Sequence, residues 1–145
     1  MGVFSIPVRV KLGAGVQETD VGVDTGSLYT VFPGELLERL GVERRYPNID
    51  FSAADNRILP RDVGLAWIEI DGEWVDELVG DRWVPMTGRV LESPLFVVFG
   101  HDGDEVLLGA HLLEGLRLAV DPPRERLLSP KTPLSIRSRV SVRSA

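Results

Sequence analysis

From Val3 to Leu12, β-branched residues fall at alternating positions (Ile6, Val8, Val10), the period of a strand with one buried face. Gly13-Ala14-Gly15 predicts a turn, and Val16 to Val23 a returning strand with Val21 and Val23 on one face. Asp24 to Ser27 interrupts the alternation before Tyr29-Thr30-Val31-Phe32 resumes it. The period then changes. Pro33 stands in a first turn, Glu35 near the positive end of a helix dipole, and Leu36, Leu37 and Leu40 share one stripe. With Gly41 as a stop signal, Pro33 through Leu40 reads as a short helix.

Ile49 to Ser52 and Arg57 to Leu59 flank Ala53-Ala54-Asp55-Asn56, which predicts a hairpin. Leu65 to Ile70 alternates as a strand, and Asp71-Gly72 predicts a tight hairpin turn before Glu73-Trp74-Val75. Periodicity weakens from Asp76 to Ser93, which reads as an inserted loop or an irregular extra strand. Leu95 to Phe99 is a continuous apolar run, hence a buried strand, and His101-Asp102-Gly103-Asp104 turns it into Val106-Leu107-Leu108. A second short helix over Ala110 to Glu114, a strand over Leu116 to Val120, a turn over Asp121 to Arg124 and a strand over Glu125 to Leu128 complete the pattern. The expectation is an all-β protein with a closed, barrel-like core and two short helices.

The 145 residues suit one domain, expected over residues 1–129, with a flexible Ser/Arg-rich tail over 130–145. All 22 acids lie at or before Glu125, whereas four of the 16 bases (Lys131, Arg137, Arg139, Arg143) lie in the tail. A body that acidic repels phosphates, so no nucleic-acid partner is expected. The chain has no cysteine, which excludes disulfides and thiolate metal sites and suits a reducing cytoplasm. The first twenty residues carry Arg9, Lys11, Glu18 and Asp20 and do not read as a secretory signal. No apolar run approaches a membrane span, so no membrane association is expected. His101 and His111 lack partners at metal-ligand spacing, Asp102-Gly103-Asp104-Glu105 lacks the ligand spacing of a calcium loop, and no metal or cofactor is expected. Trp67, Trp74 and Trp83 read as packing residues before cleft residues.

Chemistry concentrates at Asp24-Thr25-Gly26-Ser27. A carboxylate at the end of an apolar strand, where the chain turns at a glycine, is held rigidly and suits sharing a proton and activating a water. The Thr25 hydroxyl is expected to brace the loop, and Gly26 to let a substrate backbone approach. The second element is Val106-Leu107-Leu108-Gly109-Ala110: large apolar residues, then glycine, then a helix, able to pass tightly behind the first loop. This pairing, Asp24-Thr25-Gly26-Ser27 about eighty residues ahead of Leu107-Leu108-Gly109-Ala110, resembles the retropepsin-like aspartic proteases. The close, Leu116-Arg117-Leu118-Ala119-Val120-Asp121-Pro122, resembles the ending of small bacterial members.

The resemblance implies that Asp24 is the catalytic aspartate, that Thr25 interlocks with its symmetry mate, and that Gly26 hydrogen-bonds substrate. Ser27 completes the active-site loop, and Leu107, Leu108 and Gly109 pack behind it. It implies a flap over Phe51, Ser52, Ala53, Ala54, Asp55, Asn56, Arg57 and Ile58, although the viral flap tip is glycine-rich and this one is not. The segment Asp76 to Ser93 is extra and is expected to cover or extend the cleft. Such chemistry needs two aspartates, and the chain has one Asp-Thr-Gly. The expected enzyme is therefore a homodimer with its two-fold axis through the site, cutting peptide or protein substrates. A peptide-binding or dimerisation module without catalysis is the rival; an intact Asp24 weighs against it.

Overall fold

The computed structural model describes residues 4–130 and 136–137. Strands β1 (Ser5–Leu12) and β2 (Gly15–Val23) form an antiparallel hairpin, with Ile6 opposite Val21 and Val8 opposite Thr19. Their alternation is used as the pattern requires: Ile6, Val8, Val10, Val21 and Val23 are buried. Beyond the Asp24 loop, β3 (Thr30–Pro33) leads into α1 (Gly34–Leu40). Pro33 takes the N-cap position, Leu36 and Leu37 face the core, and Gly41 ends the helix in a left-handed conformation at φ 89°.

Strands β4 (Tyr46–Ser52) and β5 (Ile58–Asp71) form the second hairpin. A one-turn 3₁₀ helix (Gly72–Trp74) then leads to β6 (Val75–Val79) and β7 (Arg82–Pro85). They are followed by β8 (Val90–Gly100), β9 (Leu107–Leu108), α2 (Ala110–Gly115), β10 (Ala119–Asp121) and β11 (Arg126–Ser129). The larger sheet runs β8-β3-β9-β2-β1-β5-β4, and a further antiparallel pairing of β5 with β8 closes six of these strands into a ring. A two-residue strand β12 (Ile136–Arg137) pairs with the start of β8. Apart from those two residues, the expectation of a flexible tail from Lys131 lies outside the described residues.

The ring encloses the core. Phe32, Leu37, Ile68, Phe99, Leu108, Leu112 and Leu116 are all at most 1% exposed, and full burial of each such side chain stabilises by about 1.5–3 kcal/mol relative to exposure. A second sheet, β10-β11-β6-β7, packs Val75 and Leu127 into the same cluster. Buried Asp76 receives hydrogen bonds from both Arg124 and Arg126, which ties β6 to the β10–β11 hairpin. Two guanidiniums on one enclosed carboxyl supply the pairing that burial of such a group requires.

Several sequence expectations need correction. Ile58-Leu59 and Leu65 to Ile70 are parts of one strand, β5. Asp71-Gly72 does not turn a hairpin; it starts the 3₁₀ helix that carries the chain from one sheet to the other. A Cβ at Gly72 would collide with the Met86 carbonyl oxygen, so packing selects this glycine rather than hairpin geometry. Of the two readings of Asp76 to Ser93, the extra strand is nearer than the inserted loop: the segment supplies most of β6, all of β7 and the first third of β8. Its alternation was obscured because β6 buries both Val75 and Asp76. In β8, Val97, Val98 and Phe99 are buried but Phe96 is 48% exposed, so the apolar run is not wholly interior. Leu116 caps α2 and Arg117 is left-handed, which delays β10 to Ala119.

Candidate active site

Asp24 leaves β2 at the point where β9 ends its pairing. Gly22 and Val23 run parallel to Leu107 and Leu108, and the Asp24 N–H donates to the Leu108 carbonyl at 3.1 Å. The loop then folds on itself. Gly26 N–H donates to Asp24 Oδ1 at 2.8 Å, Ser27 N–H to the Asp24 carbonyl at 3.3 Å, and Ser27 Oγ–H to the Tyr29 carbonyl at 3.0 Å. One carboxylate oxygen is thereby oriented by the loop's own backbone, while Asp24 remains partly accessible and lines a cleft.

The start of α2 locks the far side of this loop. Ala110 N–H donates to the Ser27 carbonyl at 2.7 Å and His111 N–H to the Leu28 carbonyl at 3.0 Å. Gly109 N–H donates to the hydroxyl of Thr30 at 3.0 Å, and Thr30 is 1% exposed. A Cβ on Gly109 would run into the Tyr29 carbonyl, so the two segments cross where only a glycine fits. Buried backbone groups left unpaired here would each cost about 1–3 kcal/mol, which is why the loop is held firmly.

The cleft above Asp24 has a volume of about 880 Å³ and is walled by Gly26, Ser27, Tyr29 and Val31 on one side. Asp50 through Ala54 of the β4–β5 hairpin form another wall, with Asp104, Glu105 and Leu107 beyond. The hairpin tip is closed by Ala53 N–H to the Arg57 carbonyl at 2.8 Å and Asn56 N–H to the Ala53 carbonyl at 2.9 Å, with Asn56 at φ 67°. Phe51 meets Tyr29 edge to face, ring centroids 5.0 Å apart, so the hairpin leans onto the Asp24 side of its own cleft. Lower down, Arg61 of β5 holds Asp104 with two hydrogen bonds, at 2.8 and 3.0 Å, linking the hairpin's arm to the turn after β8. That guanidinium, together with the His101 N–H, keeps the Asp104 carboxyl below the usual carboxylate range.

Asp24, Gly26, Ser27, Phe51, Ser52, Ala53, Ala54 and Leu107 all line the one cleft. Asp55, Asn56, Arg57 and Ile58 form the exposed tip and its outward arm and do not line it. Leu108 and Gly109 lie behind the loop, buried. Thr25 is exposed, and the bracing hydroxyl is that of Thr30 instead. The signal was a lone hydroxyl in the apolar strand Tyr29-Thr30-Val31-Phe32. No residue from Asp76 to Ser93 lines the cleft, contrary to the expectation that this segment covers or extends it; none of Trp67, Trp74 or Trp83 lines it either. Among the described residues, no cluster of three or more His, Cys, Asp or Glu side chains is placed to hold a metal ion, and no helix is long and apolar enough to cross a membrane.

No family model matches this sequence, and no curated protein sequence matches it. Solved structures do. The fold is similar to that of EIAV protease complexed with an inhibitor, with 15% sequence identity and a TM-score of 0.50, covering 81% of this chain and 90% of that one. It is also similar to the retroviral protease-like domain of Ddi1 from Leishmania major, with 12% identity and a TM-score of 0.45, covering 91% and 93%. At 15% identity the likeness to the viral enzyme reaches the fold and no further. The chain therefore adopts a mostly β, retropepsin-like fold with two short helices.

Proposed function

We propose that the chain is one half of an aspartic endopeptidase, in which Asp24 and its two-fold mate activate a water between them. The observation that carries this reading is the setting of Asp24: partly accessible on the floor of a peptide-sized cleft, with one carboxylate oxygen already taken by the Gly26 N–H. Asp104 is a poor second carboxylate, since Arg61 occupies both of its oxygens. The exposed Thr25-Gly26 turn beside Leu28, which is 54% exposed, gives a second copy a surface on which to bring its own Asp24 alongside.

Two carboxylates at close range do not both ionise, so the pair holds one proton. The ionised member takes a proton from water as its oxygen attacks the scissile carbonyl carbon. The protonated member gives its proton to the carbonyl oxygen. In the collapse of the gem-diol the carboxyl that took the water's proton gives it to the leaving nitrogen, the other carboxylate takes a hydroxyl proton back, and the C–N bond breaks with no covalent enzyme intermediate. Activity then favours acidic over neutral pH. On this reading the β4–β5 hairpin is a flap, residues 1–129 form the catalytic domain, and 130–145 is an appendage. The Leu116 to Pro122 ending supports a bacterial-type member, and the absence of cysteine a cytoplasmic setting.

Cleavage of a diverse peptide library from pH 4 to 7 tests the reading, with Asp24→Asn as the control. Wild type is expected to cut, and the variant to lose at least about 10²–10⁴-fold while keeping its melting temperature. Sedimentation is expected to show a dimer. Equal cutting by both proteins, or none by a confirmed dimer, overturns it.

A further inference from the structure

The outer face of the β5–β8 pair changes character along its length. At one end it is ionic: Arg9 holds both Glu69 and Asp71, and Lys11 reaches Glu69 at 2.9 Å. Toward the β4–β5 hairpin the charges give way to Trp67, Leu65, Pro94 and Phe96. Residues directly opposite one another share a face, and Trp67 stands opposite Pro94 and Leu65 opposite Phe96. Tyr46 of β4 continues the row, its ring meeting that of Phe96 edge to face at 5.8 Å. Ala66 and Ile68 take the inward positions of β5 and are buried, so alternation turns Leu65 and Trp67 outward. Tyr46, Leu65, Trp67 and Phe96 are 36–48% exposed, and Pro94 is exposed beside them. A contiguous apolar row on the solvent side of a sheet marks a contact surface.

Its size and its two ends identify the occupant. The five side chains expose roughly 300–400 Å² together, whereas a standard protein interface buries about 800 Å² on each partner. The row is too small to hold a second folded copy and large enough for a short stretch of chain. One end is closed by the Arg9 and Lys11 ion pairs, where an apolar segment meets charge. At the other end Tyr46 and Phe96 also wall a hollow that shares Tyr29, Ile49, Phe51 and Val98 with the cleft above Asp24. A stretch lying on the row is therefore continuous with whatever chain occupies the cleft. We infer that this face is a docking surface outside the cleft for an apolar stretch of the protein substrate itself, several residues away from the bond presented to Asp24. The inference rests on the proposed peptide-cleaving site and adds its substrate class: polypeptides with an apolar stretch remote from the cut, in preference to short peptides. In a two-fold dimer the face occurs twice, once for each end of the substrate.

The test starts from the best-cut peptide of the library and extends it, at either end in turn, by six residues. These are leucine and phenylalanine alternating with serine, or glycine alternating with serine. Cleavage is measured with the full-length wild type and binding with full-length Asp24→Asn, each with and without Leu65→Ser and Trp67→Ser together. Both residues are exposed and neither lines the cleft, so the double variant is expected to keep its melting temperature and its cleavage of the unextended peptide. On wild type the apolar extension is expected to lower KM at least about tenfold relative to the glycine extension, and the double variant to lose that gain. If wild type cuts but the apolar extension brings no gain, or the gain survives in the double variant, the surface is wrong and the protease reading stands. If wild type cuts nothing, the extensions are offered by themselves to Asp24→Asn. Binding of the apolar one that the double substitution abolishes then removes the protease reading and keeps the surface, and no binding overturns both. A wild-type dimer that becomes a monomer in the double variant assigns this face to a second copy and overturns the inference.

Discussion

The floor and the roof of the cleft are built to different standards. On the floor, the segment from Asp24 to Thr30 is tied to β9 and the start of α2 by four long-range hydrogen bonds: Asp24 to Leu108, Ala110 to Ser27, His111 to Leu28, and Gly109 to Thr30. Gly109 closes the crossing where no side chain fits. On the roof, the hairpin tip from Ala53 to Arg57 is exposed at all but Ala53. It is held by bonds within the tip and by the exposed Asp55–Arg57 ion pair. Phe51, leaning on Tyr29, and Arg61, gripping Asp104, connect this hairpin to the Asp24 loop and to the turn after β8. The difference teaches how a carboxylate can be held for proton transfer while the wall above it stays free to adapt. Precision costs buried, fully paired backbone; adaptability needs an exposed strand pair with few anchors.

The sharpest way to break this comparison is Gly109→Ala. A methyl group forced against the Tyr29 carbonyl is expected to cost about 3 kcal/mol or more, read as a lowered urea midpoint with unchanged slope. A neutral result means the crossing is looser than described. Thr30→Val keeps the shape but removes the acceptor for the Gly109 N–H, with an expected loss of about 1–3 kcal/mol. A loss below a few tenths of a kcal/mol would show that the hydroxyl is dispensable.

Asp104→Asn tests the joint between roof and floor. Arg61 holds this carboxyl below its ordinary value, so its stabilisation is fully present above the unfolded-state value and is lost as pH falls through the folded one. The variant is expected to be less stable by about 1–2 kcal/mol at pH 7, with the gap narrowing only below about pH 4. A gap that is constant from pH 7 down to acid unfolding rules out the ion pair as its source. At the roof's tip, Asp55→Ala is expected to leave the melting midpoint unmoved, because its partner Arg57 is solvated and two residues away. A clear drop there would mean that the tip is anchored as the floor is.

Much of this was legible along the chain. Alternation located β1 and β2, and the leucine stripe with its terminal glycine located α1, because each element buries one face against one core and its period survives in the sequence. The interrupted strand at Asp24 and the Leu107-Leu108-Gly109 segment were visible for the same local reason: a turn and a close crossing each demand glycine. Local patterning ran out where burial came from more than one direction. Asp76 looked like a loop residue because its two arginines lie about fifty positions away, and Gly72 looked like a hairpin because Met86 was not yet its neighbour. Thr30 and Arg61 show the same limit within the cleft, where each takes its role from a partner 79 or 43 residues distant. The sequence by itself determined β1, β2, the two helices and the loop that presents Asp24, since these depend on near neighbours. Tertiary structure alone decided the ring closure through β5 and β8, the second sheet, and the crossing of Gly109 behind the Asp24 loop, since each exists only when distant segments share one space.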